Sequence, residues 1–295
     1  MPVRPPNFFV ANGAGFFYKK CMGYVFNAVD AQHYQRWVGD SKNRLALELE
    51  TGLMRSMLRP VFGESLLDVG CGTGESIRPY LGKGINLTGI DPSAPMLEIA
   101  RENLGHRVDF HRGYAEDLPF GDNAFNHVSL FLTLEFVGDP VEAVAEACRV
   151  ARDSIFIGIL NRHSAYVTRL RARRLVRSSV YDSARFFSVG EVRKIVFSLL
   201  GQVPFSWRTV LQLPFVPPGI CFRMEASGYL GKSPFGGFAG IHAIPVPKFT
   251  AMPLTLKTMV EKNAAAANRV ASCSRYHKEK KQARPEKAKN NAAYK

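Results

Sequence analysis

Cysteine is scarce and scattered. The five in 295 residues (Cys21, Cys71, Cys148, Cys221 and Cys273) are odd in number and widely spaced. They form neither a zinc pattern nor a disulfide framework, which fits a reducing compartment. Long apolar runs are absent. The stretch around Ile155–Leu160 is the longest, far short of the roughly 20 residues that a membrane-spanning helix needs. The opening residues, with Pro2, Pro5 and Pro6, lack a basic stretch followed by an apolar core. A secretory signal is therefore not expected, and the cytoplasm is the expected location. Glycine and proline, 25 and 18 residues, follow no collagen or linker period, and no internal repeat is visible. Acid is missing from two basic places. Arg162, Arg169, Arg171, Arg173, Arg174 and Arg177 have no acid among them, and residues 257–295 hold eleven Lys/Arg against three Glu, a net of +8 out of the chain's +14. Such segments attract anionic lipid, nucleic acid or phosphorylated substrates, or serve only as a solvated tail. No run of basic residues interleaved with stacking aromatics is present, so nucleic acid ranks below lipid or a small anion.

What is present is globular: 46% hydrophobic, 11% aromatic and 22% charged residues. From Asp40, a helix cap, Leu45, Leu49, Leu53 and Met57 repeat at every fourth position until Pro60. Short apolar runs then alternate with helical patterns, as in a parallel sheet wound with helices. The expected strands are 65–69, 86–90, 107–111, 127–132, 154–160, 206–213 and 238–244. The expected helices start at the caps Ser93, Asp139 and Ser188, the last completed by Glu191 and stopped by Gly201. The fold class is α/β, a Rossmann-like seven-stranded mixed sheet flanked by helices. Residues 1–59 are expected to form an N-terminal arm and helical segment, residues 60–250 the main domain, and residues 251–295 a flexible basic tail.

Most of the information lies in Leu66-Leu67-Asp68-Val69-Gly70-Cys71-Gly72-Thr73-Gly74-Glu75-Ser76. An apolar strand runs into three alternating glycines, and a helix is expected after them. Glycine permits a sharp turn and leaves no Cβ between the chain and a ligand across the strand's carboxyl end. At the end of the next strand Asp91 can accept hydrogen bonds from both hydroxyls of a ribose. A dinucleotide site would want Gly-x-Gly-x-x-Gly, yet Glu75 puts a negative charge where its pyrophosphate would sit. An NAD-dependent oxidoreductase is accordingly a distant third choice.

The pattern acidic-x-Gly-x-Gly-x-Gly from Asp68, with Asp91, Glu116-Asp117-Leu118-Pro119 and Cys148-Arg149-Val150, resembles the class I S-adenosylmethionine-dependent methyltransferases. The resemblance covers roughly residues 30–245 and is closest to the branch with small-molecule and quinone C-methyltransferases. It implies that S-adenosyl-L-methionine is the cofactor and that the helical segment within residues 1–59 is a lid over the pocket. Gly70, Cys71, Gly72 and Gly74 would hold its methionine end, with Asp68 supporting the loop and the amino group. Asp91 would meet the ribose, Tyr114, Ala115 and Glu116 would surround the adenine, Phe131, Leu132 and Thr133 would lie on the sulfur side, and Pro92 and Met96 would be further cofactor contacts. Tyr114 stands where many members carry Asp or Asn, so stacking can replace a side-chain bond to the adenine.

Methyl transfer requires positioning and a dry pocket, and a base only if the nucleophile must lose a proton. After the fourth strand Leu132-Thr133-Leu134-Glu135 replaces the Asn/Asp-Pro-Pro-Tyr/Phe of amino-methylating nucleic-acid and glutamine enzymes. No Pro-Cys pair suits cytosine C5 chemistry, and no His/Asp/Glu cluster suggests a metal. His163 is read either as a general base or as a surface residue capping the next helix. Tyr34 and Trp37 line the pocket or merely pack. Glu135 steadies a polar substrate or faces solvent, and Arg162 and Tyr166 are further candidates for acceptor contact. His33, His106 and His111 have no partner spacing and no assigned role. The expected activity is methyl transfer to a small-molecule or lipid-like acceptor, with peripheral contact to an anionic membrane through the basic segments. The competing expectation is a catalytically silent cofactor-binding scaffold.

Overall fold

The computed structural model describes residues 23–173, 180–211 and 233–245. The expected basic tail, Arg174 and Arg177 lie outside the described residues. Seven strands make one sheet: β1 Ser65–Val69, β2 Asn86–Asp91, β3 Asp109–Arg112, β4 Phe125–Phe131, β5 Ala151–Leu160, β6 Phe205–Val210 and β7 Phe238–Ala243. Their spatial order is β3-β2-β1-β4-β5-β7-β6. The first five are parallel, and β7 is antiparallel to both β5 and β6. From β1 the chain winds outward to β2 and β3 on one side, and β4 begins the other. The crevice beyond the carboxyl ends of β1 and β4 is therefore the switch point at which α/β sheets bind ligands.

Alternation along the strands builds a core on each face. Leu67, Val69, Val128, Leu130, Ile155 and Ile157 pack on one side, and Leu66, Phe156 and Phe238 on the other. Every residue of β4 is buried, as a strand covered on both faces requires. Each such Leu or Phe contributes about 1.5–3 kcal/mol on burial. The helices are α1 Ala28–Gly39, α2 Ser41–Leu58, α3 Ala94–Leu104, α4 Pro140–Val150, α5 Ala165–Arg173 and α6 Val189–Leu200. Ser93 accepts the Met96 N–H, Asp139 accepts those of Val141 and Glu142, and Ser188 and Glu191 form a reciprocal capping box. Each cap is worth about 1 kcal/mol. Among the described residues no helix is long and apolar enough to cross a membrane.

Three features differ from the sequence-based expectation. No α-helix follows β1; the chain makes turns and a 3-10 segment, Arg78–Tyr80. Pro79 and the positive-φ glycines Gly82 and Gly84 leave no room for a longer helix before β2. Helix α1 precedes the expected start at Asp40; Asn27 caps it in a capping box with Asp30. Helix α2 buries Leu47, Glu50, Thr51, Leu53, Met54 and Leu58, while Leu45, Leu49 and Met57 are half-buried. The buried stripe is thus rotated from the expected one, and a carboxylate sits in its middle. Helix α2, although within the stretch expected as a lid, lies against β5, β6 and β7.

Candidate functional site

The glycine turn is built by close packing as much as by openness. Gly70, Gly72 and Gly74 all have positive φ, +72°, +51° and +84°. Gly70 and Cys71 donate their N–H groups to the Ile90 carbonyl, 2.7 and 3.1 Å, which ties the turn to the end of β2. A Cβ on Gly70 would lie 2.4 Å from Cγ2 of Thr133, whose hydroxyl is itself held on the Val69 carbonyl at 2.7 Å. A Cβ on Gly72 would meet nothing within 4 Å; this glycine lines the cavity that opens above the turn. Gly74 does not line it. Its missing Cβ makes room for the Leu104 side chain of α3, 2.5 Å away, so its role is helix packing.

Asp91 closes the other side of the turn. One carboxylate oxygen accepts the Gly72 N–H at 2.9 Å and the other the Ser93 N–H at 2.8 Å. Burial raises its pKa, and the two amides oppose the shift. Each oxygen keeps acceptor capacity toward the cavity, as a pair of vicinal hydroxyls requires. Asp68 stands behind the turn, fully buried, accepting from the hydroxyls of Ser76 and Ser129. Burial pushes it up to about 7 against those two bonds, and it does not line the cavity. Glu75 does line it, paired with Arg78 at 2.9 Å. A carboxylate at that point repels a pyrophosphate and tolerates a ligand bearing an ammonium and a sulfonium. The open space over Gly72 and the half-used Asp91 oxygens fit S-adenosylmethionine.

Cys71, Pro92, Met96, Tyr114, Ala115, Glu116 and Phe131 complete this end of the cavity. Glu116 uses Oε1 to accept the N–H groups of Gly138 and Asp139, 2.8 and 3.3 Å, and so fixes the loop before α4. Arg149 clamps the neighbouring loop by donating to the carbonyls of Leu118 and Phe120 and pairing with Asp122 and Glu146. The Cys148-Arg149-Val150 stretch singled out in the sequence is therefore a loop anchor.

A strap of the N-terminal segment crosses the top. Tyr24 donates its N–H to the Phe136 carbonyl at 2.8 Å, and Ser93 donates its hydroxyl to the Phe26 carbonyl at 2.7 Å. Rings of Phe26 and Phe136 meet edge-on at 4.9 Å. Beyond the strap the cavity walls are Tyr34 and Trp37, stacked at 5.8 Å, with Leu132, Phe136, Val137, Leu160 and Tyr181. Glu135 sits among them, 2% exposed. Its Oε1 accepts the Leu160 N–H at 2.6 Å, while Oε2 has no hydrogen-bond partner among the described residues. Burial raises its pKa to about 8.

The sequence-derived candidates thus divide. Tyr34, Trp37 and Glu135 line the cavity; His163, Arg162 and Tyr166 do not. His163 is exposed on the turn into α5. Arg162 pairs with Glu191 at 2.8 Å, and Tyr166 packs in the side cluster with Leu160, Val167 and Phe186. Leu132 and Thr133, expected beside Phe131 at the sulfur side, line the cavity; sequence reasoning missed Gly23–Phe26, His33 and Tyr181, all of which line it, and the buried Glu50. A capping box at Asn27–Asp30 could have revealed that the strap leads into a helix. Nothing local marks the others.

The fold and this turn–carboxylate arrangement define a nucleoside-binding α/β enzyme. A family model described as a methyltransferase domain matches residues 67–157. An uncharacterized protein of Methanocaldococcus jannaschii is 30% identical over 72% of this chain and 95% of its own length. The demethylmenaquinone methyltransferase of Renibacterium salmoninarum is 38% identical over 30% of this chain, which spans only 38% of that enzyme. A crystal structure of a SAM-dependent methyltransferase from Thermotoga maritima, described as a possible histamine N-methyltransferase, superposes with a TM-score of 0.57. It is 25% identical and covers 74% of this chain and 96% of its own. The chain belongs to the class I S-adenosylmethionine-dependent methyltransferases, with S-adenosylmethionine as its cofactor.

Proposed function

We propose that the chain transfers a methyl group from S-adenosylmethionine to a small-molecule or lipid-like acceptor lodged at the apolar end of the cavity. One observation carries this: a single cavity is lined by Gly70, Gly72 and Asp91 at one end and by Trp37, Leu132, Phe136 and Leu160 at the other. Cofactor and acceptor would therefore share one enclosed space. Gly70, Cys71 and Gly72 take the methionine end, Asp91 the ribose hydroxyls, and Tyr114, Ala115 and Met96 the adenine. When bound, S-adenosylmethionine supplies a sulfonium-activated methyl group, which needs an in-line nucleophile and little else. The protein's own contribution is to hold the acceptor in place and exclude water, which the strap over Phe136 serves.

The named relatives point to unlike acceptors, a demethylmenaquinone and a histamine nitrogen, so the chemistry of this chain's own pocket must decide between them. Exposed Arg169 and Arg171 on α5, the latter set over the Phe186 ring at 5.4 Å, support contact with an anionic surface if the acceptor is lipid-like. The buried cysteines Cys71 and Cys148 suit a reducing cytoplasm. Calorimetric titration with S-adenosylmethionine and S-adenosylhomocysteine tests the foundation, and methyl release across acceptor classes tests the rest. Micromolar binding of both is expected; absence of either would overturn the assignment.

A further inference from the structure

Two glutamates are buried toward the acceptor end with no ion-pair partner among the described residues. Glu135 reaches the cavity wall from the turn after β4. Glu50, 4% exposed, lies behind this wall in the middle of α2, close enough to interact with Glu135, Tyr34 and Tyr181 but not lining the cavity itself; a helix facing a sheet would ordinarily present leucine there. The second oxygen of each has no hydrogen-bond partner, and neither takes part in an ion pair among the described residues. The two repel one another, and Glu50 also acts on Tyr34 and Tyr181, which line the cavity. Such buried, unpaired carboxyl groups are costly to ionise and suit a site where a ligand's positive charge answers them. The surrounding walls are the faces and edges of Tyr34, Trp37, Phe136 and Tyr181. Aromatic rings around an unsatisfied carboxylate form the chemistry that receives an ammonium group, by ion pairing and cation–π attraction together.

We infer that the acceptor is a protonated amine on an apolar body, bound through Glu135 with Glu50 as its second negative charge. This rests on the methyltransferase assignment and specifies the acceptor within it. Glu135 Oε2 takes a proton from the ammonium: the N–H bond breaks, its electron pair stays on nitrogen, and the new O–H bond neutralises the carboxylate. The nitrogen lone pair so released is the nucleophile that methyl transfer consumes. Glu135 is thus a catalytic residue and Glu50, whose charge and that of Glu135 repel one another, a positioning residue. Of the other titratable groups, Tyr34 from α1 and Tyr181 interact with this pair, and Tyr24, Asp30, His33 and Glu75 line the same cavity. Burial keeps Tyr34 and Tyr181 as neutral phenols across the working range.

The test is calorimetry on the full chain saturated with S-adenosylhomocysteine, with phenethylamine as probe and 2-phenylethanol as its neutral match. Wild type should bind the amine at least tenfold more tightly than the alcohol. Glu135→Gln, which keeps an acceptor for the Leu160 N–H, should abolish that preference while leaving S-adenosylhomocysteine affinity unchanged. Glu50→Gln should lower amine affinity less and move the pH midpoint of amine binding downward, an effect that a merely structural glutamate would not produce. Equal affinity for amine and alcohol, no detectable amine binding, or a preference that survives Glu135→Gln would each overturn the proposal. Failure to bind S-adenosylhomocysteine would instead strike the cofactor assignment beneath it.

Discussion

The two ends of the cavity are built on opposite principles. At the cofactor end each charged group lining the wall is already held: Asp91 by two backbone amides, Glu116 by two more, Glu75 by Arg78. At the acceptor end Glu135 is half held, and Glu50 keeps one oxygen without a partner. A site preorganised by backbone bonds holds its shape before the ligand arrives and spends little on reorganisation. A site with buried unpaired carboxylates is destabilised until its ligand comes. The first kind suits a cofactor shared by a whole family, and the second a partner that must be told from its analogues.

The largest effect should come from the preorganised end. Gly72→Val puts a β-branched residue at φ +51° and its methyl groups into the cofactor space. S-adenosylhomocysteine affinity should fall at least a hundredfold by calorimetry, and a fall below tenfold would remove the turn from the binding site. Asp91→Ala comes next. Charge-assisted hydrogen bonds contribute about 1.5–3 kcal/mol each, so a loss of tenfold or more is expected with the circular dichroism spectrum unchanged. Unaltered affinity would place the ribose elsewhere.

The same contrast explains what could be read from the sequence. The turn, Asp91 and the helix caps are local: a strand, a few glycines, a carboxylate at the next strand's end. Alternation of apolar runs marked all seven strands, because a two-faced core writes itself into every second residue. Gly74 fitted the motif, yet its missing Cβ accommodates Leu104, 30 residues away in sequence. Tyr181, Glu50 and the Gly23–Phe26 strap reach the acceptor end from three separate elements, and no spacing connects them. Glu50 was hidden twice, since a carboxylate inside a leucine repeat reads as a solvent-facing position. The helix expected after β1 failed because Pro79, Gly82 and Gly84 outweigh the family pattern there.

Buried carboxylates at the acceptor end make stability depend on pH. Glu50 and Glu135 titrate near 8 in the folded chain, against 4.5 for exposed glutamate. Between those values the folded state holds more protons than the unfolded one, so stability is full below about 4.5 and is lost as pH rises through 8. Thermal denaturation of the ligand-free protein should show Tm falling from pH 6 to pH 9. Glu135→Gln should flatten the slope and raise Tm at pH 9 by roughly 5–10 °C, the equivalent of about 2–3 kcal/mol. A Tm that rises over this interval would mean that the pair is paired or solvated in solution. A smaller change is expected from Gly23→Ala. Its Cβ would come 2.0 Å from the Phe136 carbonyl oxygen, a backbone atom that cannot yield, so the strap must lift. S-adenosylhomocysteine affinity should drop several-fold, with faster proteolysis near residue 23 and little change in Tm; undiminished affinity would show that the strap plays no part in closing the site.

The smallest effect belongs to His163. Its position after β5 on the carboxyl side of the sheet made it the one histidine placed for acid–base work, but the structure turns it outward. Its ring is exposed, and its backbone N–H donates to Asn161 Oδ1 at 3.2 Å. Helix capping is done by Ser164, whose Oγ accepts the Val167 N–H at 3.1 Å, while the buried Asn161 ties the turn to the segment before β7 by donating to the carbonyls of Pro234 and Gly236. His163→Ala therefore removes no cavity wall, cap or buried hydrogen bond. Cofactor affinity should be unchanged, turnover on any accepted amine should stay within twofold, and Tm should move by less than about 1 °C, as for a surface substitution. Asn161→Ala, by contrast, strands the buried Gly236 carbonyl and should cost about 1–3 kcal/mol. A tenfold fall in turnover for His163→Ala, with cofactor binding intact, would return the proton-accepting role to the end of β5 and take it from Glu135.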